Sequence, residues 1–227
     1  MTSSNNLPRA VIFDMDGVLV DSNPFHVQKW ADFLDSRGIR YDPRELPRKV
    51  LGPPNDDTFR LFLGPSVTKE EMAELGEELE TRFRATLRAH AKPLPGVESL
   101  LRQCQQARIP MAVASSAIAK NVEFVVELLG FRDYFRCLLT ADEVHHPKPH
   151  PEIYLRTCEK LGHPPAACVV FEDSFVGIEA AKAAGIKCVA VASTFPAEEL
   201  RAHGGADLIV PGFEHLNLDS LRRLFAE

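Results

Sequence analysis

The stretch VIFDMDGVLVDS, at positions 11–22, decides the fold of this 227-residue chain. It opens with a short apolar run, typical of a strand that is buried on both faces of a sheet. Two carboxylates, Asp14 and Asp16, follow directly, and Gly17 separates them from a second apolar run. Ligands of open parallel sheets bind beyond the carboxyl ends of the strands. The stretch therefore predicts a functional site at the edge where this strand ends.

Five further short apolar runs indicate strands. They are 111–114, 137–139, 168–171, 188–191 and 208–210. Helical patterns lie between most of them, and each run has the length of a strand buried on both faces. Strands that alternate with helices through right-handed crossovers form a doubly wound parallel sheet. We therefore expect an α/β fold with a Rossmann-like core.

Residues 24–91 break this alternation, because they contain helical patterns and no convincing strand. Within them, Thr68 and Glu71 have the spacing of a capping box that begins a long helix reaching about His90. Residues rich in Pro, Gly and Asn flank the segment on both sides, as at a domain boundary. We predict an inserted α-helical cap domain at 22–93 and a core formed by 1–21 and 94–227.

Composition excludes several classes of protein. With 26 basic and 32 acidic residues the formal net charge is −6, which argues against a dedicated partner of nucleic acid or of anionic membranes. No apolar run approaches the about 20 residues of a membrane helix, and residues 1–10 are polar, so we expect a cytoplasmic protein. The five cysteines are scattered without a C-x-x-C pair, which favours buried thiols over a disulfide scaffold or a zinc site.

Three other groups at strand ends or in loops could carry chemistry. Glu172 and Asp173 follow the run 168–171, Ser115 and Ser116 follow 111–114, and Lys148 lies between two prolines. Each has a simpler explanation alone, as a helix cap or a solvated surface charge. Together, two acidic pairs at one sheet edge indicate a hard cation such as Mg²⁺. Hydroxyls at a helix start and a rigidly presented lysine indicate a phosphate oxygen.

The order of these motifs, Asp-x-Asp, Ser, Lys and Glu-Asp, resembles the haloacid dehalogenase-like (HAD) hydrolase superfamily from Ala10 to about Val210. The stretch 171–181 is similar to the β-phosphoglucomutase-like branch of sugar-phosphate phosphatases and mutases. The resemblance implies that Asp14 is the nucleophile that forms an aspartyl-phosphate. It implies that Asp16 protonates the leaving alcohol and then deprotonates water.

The same resemblance implies the ligands of the ion. Mg²⁺ would be held by the Asp14 side chain, the Asp16 backbone carbonyl and Asp173, with Glu172 assisting directly or through water. Ser115, with its neighbour Ser116, and Lys148 would hold the phosphoryl oxygens.

The cap would choose the substrate. His26 lies where mutase relatives carry a helpful histidine, although a surface or capping histidine is the alternative. The loop 50–57, with Gly52, resembles the specificity loop of the family. Asn55 stands where mutases have an arginine that grips a second phosphate, and a neutral amide cannot form such a charged pair.

The expected function is therefore a phosphatase that acts on a small phosphorylated metabolite of the sugar-phosphate type, as a monomer. A hexose-phosphate mutase is the alternative, which Asn55 disfavours. A non-catalytic phosphometabolite-binding protein is a further alternative, which the complete set of catalytic residues disfavours. Asp16 disfavours dehalogenation, since a leaving halide needs no proton. Histidines 145, 146 and 150 could imitate a metal site, but their proline-rich spacing and the acidic pairs elsewhere argue against one.

Overall fold

The computed structural model of the protein describes residues 6–226, and within them a six-stranded sheet forms the centre of the fold. The strands are β1 (Ala10–Phe13), β2 (Met111–Ala114), β3 (Phe135–Leu139), β4 (Cys168–Glu172), β5 (Lys187–Val191) and β6 (Leu208–Val210). Their order in the sheet is β3-β2-β1-β4-β5-β6, and every neighbouring pair is parallel. The doubly wound α/β fold predicted from the sequence is confirmed.

Ten α-helices lie in the described chain. They are α1 (Asn23–Ser36), α2 (Leu46–Val50), α3 (Asn55–Leu63), α4 (Lys69–His90), α5 (Val97–Gln106), α6 (Ala119–Leu128), α7 (Glu152–Leu161), α8 (Phe175–Ala183), α9 (Ala197–His203) and α10 (Leu218–Leu224). Short 3-10 turns occupy Arg132–Tyr134, Ala141–Glu143 and Pro165–Ala167. The capping box is confirmed at α4, where the Thr68 hydroxyl accepts the Glu71 N–H at 3.2 Å and the Glu71 carboxylate accepts the Thr68 N–H at 2.9 Å. None of the helices in the described chain combines the length and the apolar character needed to cross a membrane.

Side chains of the central strands alternate between the two faces of the sheet. Ile12 and Val170 join an apolar cluster with residues of α7 and α8, such as Ile178. Phe13 and Phe171 are directed to the opposite face, where their rings stack 5.1 Å apart. The two residues that precede the acidic pairs are thus fixed by ring packing.

The last strand departs from the sequence prediction. The apolar run 208–210 predicts a strand buried on both faces, but β6 is only half-buried. The reason is its position, because β6 is the edge of the sheet and pairs with β5. A second correction concerns Cys137, which is half-buried, whereas the other four cysteines are buried thiols.

The chain divides into two compact units. One is Ser22–Ala91, which contains α1 to α4, and the other is the remaining described chain on either side. The two segments that flank the inserted unit are hydrogen-bonded to each other, from the Asp21 N–H to the Lys92 carbonyl at 3.1 Å and from the Leu94 N–H to the Leu19 carbonyl at 3.2 Å. The chain therefore leaves the sheet-containing unit and re-enters it at adjacent positions.

The inserted unit has an aromatic core of its own. Trp30 is 1% exposed, and its ring lies 5.0 Å from the ring of Phe59 and 5.5 Å from that of Phe33. Apolar residues of α2 and α4 complete the cluster. Helices α1 to α4 are therefore held together by burial of one shared apolar face.

Phe59→Ala should destabilise the inserted unit by about 3–5 kcal/mol, because it empties a fully buried aromatic site. Trp30 is the single tryptophan of the chain, so the change can be followed by its fluorescence during urea unfolding. Leu61→Ala on the same helix is the control, since Leu61 is 57% exposed and its loss should change the free energy of unfolding by less than about 0.5 kcal/mol. Equal effects of the two changes would contradict this assignment of the core.

Candidate active site

Three carboxylates meet where β1 and β4 end. The Asp14 N–H donates to the Phe171 carbonyl at 3.0 Å, which extends the pairing of these strands by one residue. Because Phe13 is in register with Phe171, Asp14 lies beside Glu172, and Asp173 follows. One oxygen of each carboxylate lies within 4.8 Å of the other two, and all three residues are buried. The register of a parallel pair thus brings together two acidic motifs that are far apart in sequence.

Lys148 reaches into this cluster from the loop before α7. Its ammonium nitrogen donates to Asp14 Oδ1 at 2.7 Å, to Glu172 Oε1 at 2.6 Å and to the Ala114 carbonyl at 3.2 Å. The prolines around it restrict the loop, and the Lys148–Pro149 peptide bond is cis. Lys148 is therefore a buried partner of the carboxylates, and the alternative of a solvated surface charge is wrong.

Glu172 is held by donors on both of its oxygens. Oε1 accepts from Lys148 and from the Tyr154 hydroxyl at 2.6 Å, while Oε2 accepts from the N–H groups of Asp173 and Ser174 and from the Ser174 hydroxyl. Burial alone would raise the pKa of Glu172, but the charge of Lys148 and these hydrogen bonds outweigh it and hold the pKa below its usual value. Glu172 is thus a fixed anion in the floor of the site.

Asp14 and Asp173 experience the opposite shift. Burial raises the pKa of Asp14 to about 7, against the lowering effect of Lys148. Burial also raises the pKa of Asp173 well above its usual range, and the charges of Glu172 and Asp14 add to the shift. When all three carboxylates are ionised, they and Lys148 together carry a charge of −2. The cluster is thus short of positive charge in a dry environment.

This donor set fits a hard divalent cation. Mg²⁺ takes oxygen ligands, and Asp14 and Asp173 are buried carboxylates whose ionised form the protein alone does not stabilise. Glu172 belongs to the same cluster, and both of its oxygens already accept hydrogen bonds. This arrangement suits a Glu172 that assists the ion through a bound water molecule as well as one that binds the ion directly. The Asp16 backbone carbonyl remains a predicted ligand.

A tight turn presents Asp16 two residues beyond Asp14. The Met15 carbonyl accepts the N–H groups of Leu19 and Val20, at 2.8 and 3.2 Å, and Gly17 has a φ of 74°, which favours glycine. Asp16 is half-buried, and its charge contributes to the raised pKa of Asp14. The second carboxylate of the motif therefore lies close to the first and stays partly open to solvent.

Ser115 continues β2 by one residue, since its N–H donates to the Leu139 carbonyl at 3.0 Å. Its hydroxyl accepts the Ala117 N–H at 3.1 Å and is buried, and Ser116 is half-buried. The register of Phe13 with Val113 places Ser115 at the same edge of the sheet as Asp14. The alternative of a helix cap is wrong for both serines, since Ile118 is the N-cap of α6. Phosphate binding by Ser115 and Ser116 stays a prediction.

The sequence analysis missed two residues that determine the position of the Glu172 carboxylate. Tyr154, on α7, donates its hydroxyl to Glu172, and its apolar surroundings gave no sign of this. Gly177, on α8, lies within the stretch 171–181, where the sequence gave no sign of a contact with Glu172. A Cβ built on Gly177 would lie 1.9 Å from the Glu172 carboxyl carbon, so glycine is needed there to leave room for the carboxylate.

Two hydroxyl residues after β5 were also missed. Thr194 donates its hydroxyl to Asp173 Oδ2, and Ser193 donates to the Gly17 carbonyl. A usable signal existed, because small hydroxyl residues follow β5 just as Ser115 and Ser116 follow β2.

The candidate specificity residues all lie in the unit Ser22–Ala91. Asn55 begins α3 and donates its amide to Glu80 Oε1 at 2.7 Å, and Gly52 has a φ of 99° in the bend between α2 and α3. The imidazole of His26 stacks on Phe83 with ring centres 4.0 Å apart.

Glu80 also forms a buried ion pair with Lys29 at 2.7 Å. Sequence reasoning missed this pair, because both residues looked like ordinary helix-surface charges. Asn55 is thus hydrogen-bonded to an ion pair that carries no net charge.

Tyr154→Phe should lower the free energy of unfolding by about 1.5–3 kcal/mol, because it removes a hydrogen bond to a buried charged acceptor without changing the packing of the ring. Urea unfolding of the metal-free protein measures this loss. Tyr41→Phe is the matched control, since the Tyr41 hydroxyl contacts Asp35 at the surface, at 3.4 Å. If the two variants were equally stable, the bond to Glu172 would contribute nothing.

Asp173→Asn should abolish stabilisation by Mg²⁺ and leave the metal-free protein at least as stable as the wild type. The amide removes a buried negative charge that lies beside Glu172 and Asp14. Thermal unfolding in EDTA and in Mg²⁺ tests both halves, and at a hundredfold excess over its dissociation constant the ion should add about 2.7 kcal/mol to the wild type. The exposed Asp133→Asn should respond to Mg²⁺ like the wild type. An undiminished response of Asp173→Asn would exclude Asp173 as a ligand.

Comparison with known proteins places this geometry in a family. The model of the haloacid dehalogenase-like hydrolase family matches residues 11–191. The fructose-1-phosphate phosphatase YqaB of Escherichia coli K12 is 33% identical over 181 residues, which cover 80% of this chain and 95% of the relative. The phosphorylated carbohydrates phosphatase of Thermotoga maritima is 33% identical over 178 residues, which cover 78% of this chain and 82% of the relative.

A solved structure gives the same result at the level of the fold. The β-phosphoglucomutase of Clostridium difficile superposes with a TM-score of 0.85 at 27% identity, over 97% of this chain and 98% of the mutase. The resemblance drawn from the four motifs is confirmed by these matches. The chain belongs to the haloacid dehalogenase-like hydrolase family.

Proposed function

We propose that this protein is an Mg²⁺-dependent phosphatase that hydrolyses a small phosphorylated metabolite, of the sugar-phosphate class, through an aspartyl-phosphate on Asp14. The observation that carries the proposal is the buried carboxylate of Asp14 at a strand end, 2.7 Å from Lys148, with Asp16 two residues further on. The two curated relatives described above, both named phosphatases of phosphorylated sugars, support the same class of substrate.

In the first step, an Asp14 carboxylate oxygen attacks the phosphorus atom, and the bond from phosphorus to the ester oxygen breaks. Asp16, as a carboxylic acid, gives its proton to that leaving oxygen, so the product leaves as a neutral alcohol. Asp16 is suited to this role because it lies near Asp14 and stays half-open to solvent.

In the second step, Asp16 is a carboxylate and takes a proton from water as the water oxygen attacks the same phosphorus atom. The bond from Asp14 to phosphorus breaks, inorganic phosphate leaves, and both aspartates return to their starting states. Splitting the hydrolysis in this way lets one pair of carboxylates serve both halves of the reaction.

Positive charge must balance the phosphate as it approaches Asp14. When bound, Mg²⁺ supplies Lewis-acid neutralisation of the phosphoryl oxygens and of the carboxylates. Lys148 supplies a positive charge 2.7 Å from Asp14, and Glu172 keeps that ammonium group in place. Ser115 at the neighbouring strand end is assigned to a phosphoryl oxygen, with Ser116 beside it.

We assign the choice of substrate to the unit Ser22–Ala91, through His26, Gly52 and Asn55. This assignment rests on the resemblance of the loop 50–57 to the specificity loop of the family. The link from Asn55 through Glu80 to Lys29 supports it, because a buried network holds the amide in one orientation.

A hexose-phosphate mutase is the second candidate, favoured by the superposition on a β-phosphoglucomutase. Such an enzyme must hold a second phosphate while the first reacts. Asn55 provides no charge, and its amide nitrogen already donates to Glu80. The neutral amide of Asn55 is therefore better suited to bind a hydroxyl group of a substrate than a second phosphate.

Asp14→Asn should reduce phosphate release from sugar phosphates by more than about a thousandfold, since an amide cannot replace the nucleophile. Release is measured with Mg²⁺ across a panel that includes fructose 1-phosphate and β-glucose 1-phosphate. Asp21→Asn is the control, because Asp21 is an exposed carboxylate in the same stretch, and this variant should keep wild-type activity.

Two outcomes would contradict the proposal. Conversion of β-glucose 1-phosphate to glucose 6-phosphate, with little free phosphate, would establish the mutase. Binding of phosphate esters without any turnover, by protein that shows the expected Mg²⁺ stabilisation, would establish a binding protein.

A further inference from the structure

A second group of metal-binding side chains lies on the loop that carries Lys148. The structure brings together His146, His150 and Glu152, and one donor atom of each lies within 4.8 Å of the other two. Sequence spacing argued against a metal site here because prolines separate the histidines. The prolines do not keep the histidines apart, since the turns there bring the two imidazoles to 4.5 Å between ring centres.

The three donors are held in place before any ligand binds. Glu152 is the first residue of α7, and its carboxylate accepts the N–H groups of His145 and His146, both at 3.0 Å. The His150 N–H donates to the Pro147 carbonyl at 2.9 Å, which closes a turn around Lys148. Binding an ion to these side chains would therefore order little additional chain.

Hydrogen bonds already join these side chains to one another and to the backbone. The Glu152 N–H donates to His150 Nδ1 at 3.2 Å, so this ring nitrogen is an acceptor, and an ion bound to it would replace that hydrogen bond. His146 Nδ1 lies 2.9 Å from Glu152 Oε2.

Two imidazoles and one carboxylate are a different donor set from the all-oxygen cluster at the sheet edge. Imidazole nitrogen suits Zn²⁺ and its neighbours in the first transition row, whereas Mg²⁺ prefers oxygen ligands. The His146 side chain is 65% exposed, so water has access to complete the coordination.

We propose that His146, His150 and Glu152 form a second metal site, at the protein surface, for a borderline divalent cation such as Zn²⁺. The site is separate from the carboxylates of the sheet edge in its residues and in its ion. It does not rest on the proposed phosphatase activity. An ion there would link residues on both sides of Lys148 and so restrain the segment that presents this lysine.

The test is calorimetric titration of Zn²⁺ into the full-length protein at slightly alkaline pH, with saturating Mg²⁺ present to occupy the oxygen site. We expect one Zn²⁺ site in the wild type. His146→Ala and His150→Ala should each weaken its affinity by at least about tenfold, because each removes a ligand. Both residues are exposed, so the variants should fold normally.

His145→Ala is the matched control. His145 is the preceding histidine of the same loop, and its contribution to Glu152 is a backbone N–H, which alanine retains. The affinity of the His145→Ala variant for Zn²⁺ should equal that of the wild type. Absence of Zn²⁺ binding, or equal affinity in all four proteins, would overturn the proposal.

Discussion

The rest of the site depends on the contact of one buried ammonium group with two buried carboxylates. Lys148 donates to Asp14 at 2.7 Å and to Glu172 at 2.6 Å, and these groups come from three separate parts of the chain. Without Lys148, three carboxylates would be buried together at the end of β1 and β4, which is a costly arrangement. With it, the cluster remains short of positive charge. The same imbalance that opposes folding favours the binding of a cation.

The surrounding structure is shaped to keep this arrangement fixed. Gly177 leaves space for the Glu172 carboxylate, and Tyr154 donates to it from the adjoining helix. Beneath the acids, the stacked rings of Phe13 and Phe171 set the ends of β1 and β4 relative to each other. Burial and ring packing therefore keep the end of each strand in one position.

The sequence was sufficient for the parts of the fold that follow local rules. Apolar runs and helical periodicity placed the strands and the capped helix that begins after Thr68. Because parallel strands end at the same edge of a sheet, the sequence also placed Asp14 and Asp173 at one edge. It failed where a contact depends on three-dimensional register. Tyr154, Lys29 and Glu80 gave no local signal, because a helical residue that forms a buried polar bond with a distant element looks like ordinary helix composition. The edge position of β6 is likewise a property of the whole sheet.

The hydrogen-bonded pair of linkers around Ser22–Ala91 has a consequence for how such a protein can diversify. Residues 19–21 and 92–94 lie side by side, so any helical segment whose two ends are equally close can occupy the interval without disturbing the sheet. Selection can then alter one compact unit while the carboxylate cluster at the sheet edge stays under constant constraint. The insertion point is a natural place for recombination, and a helical unit grafted there from a relative would join an intact sheet.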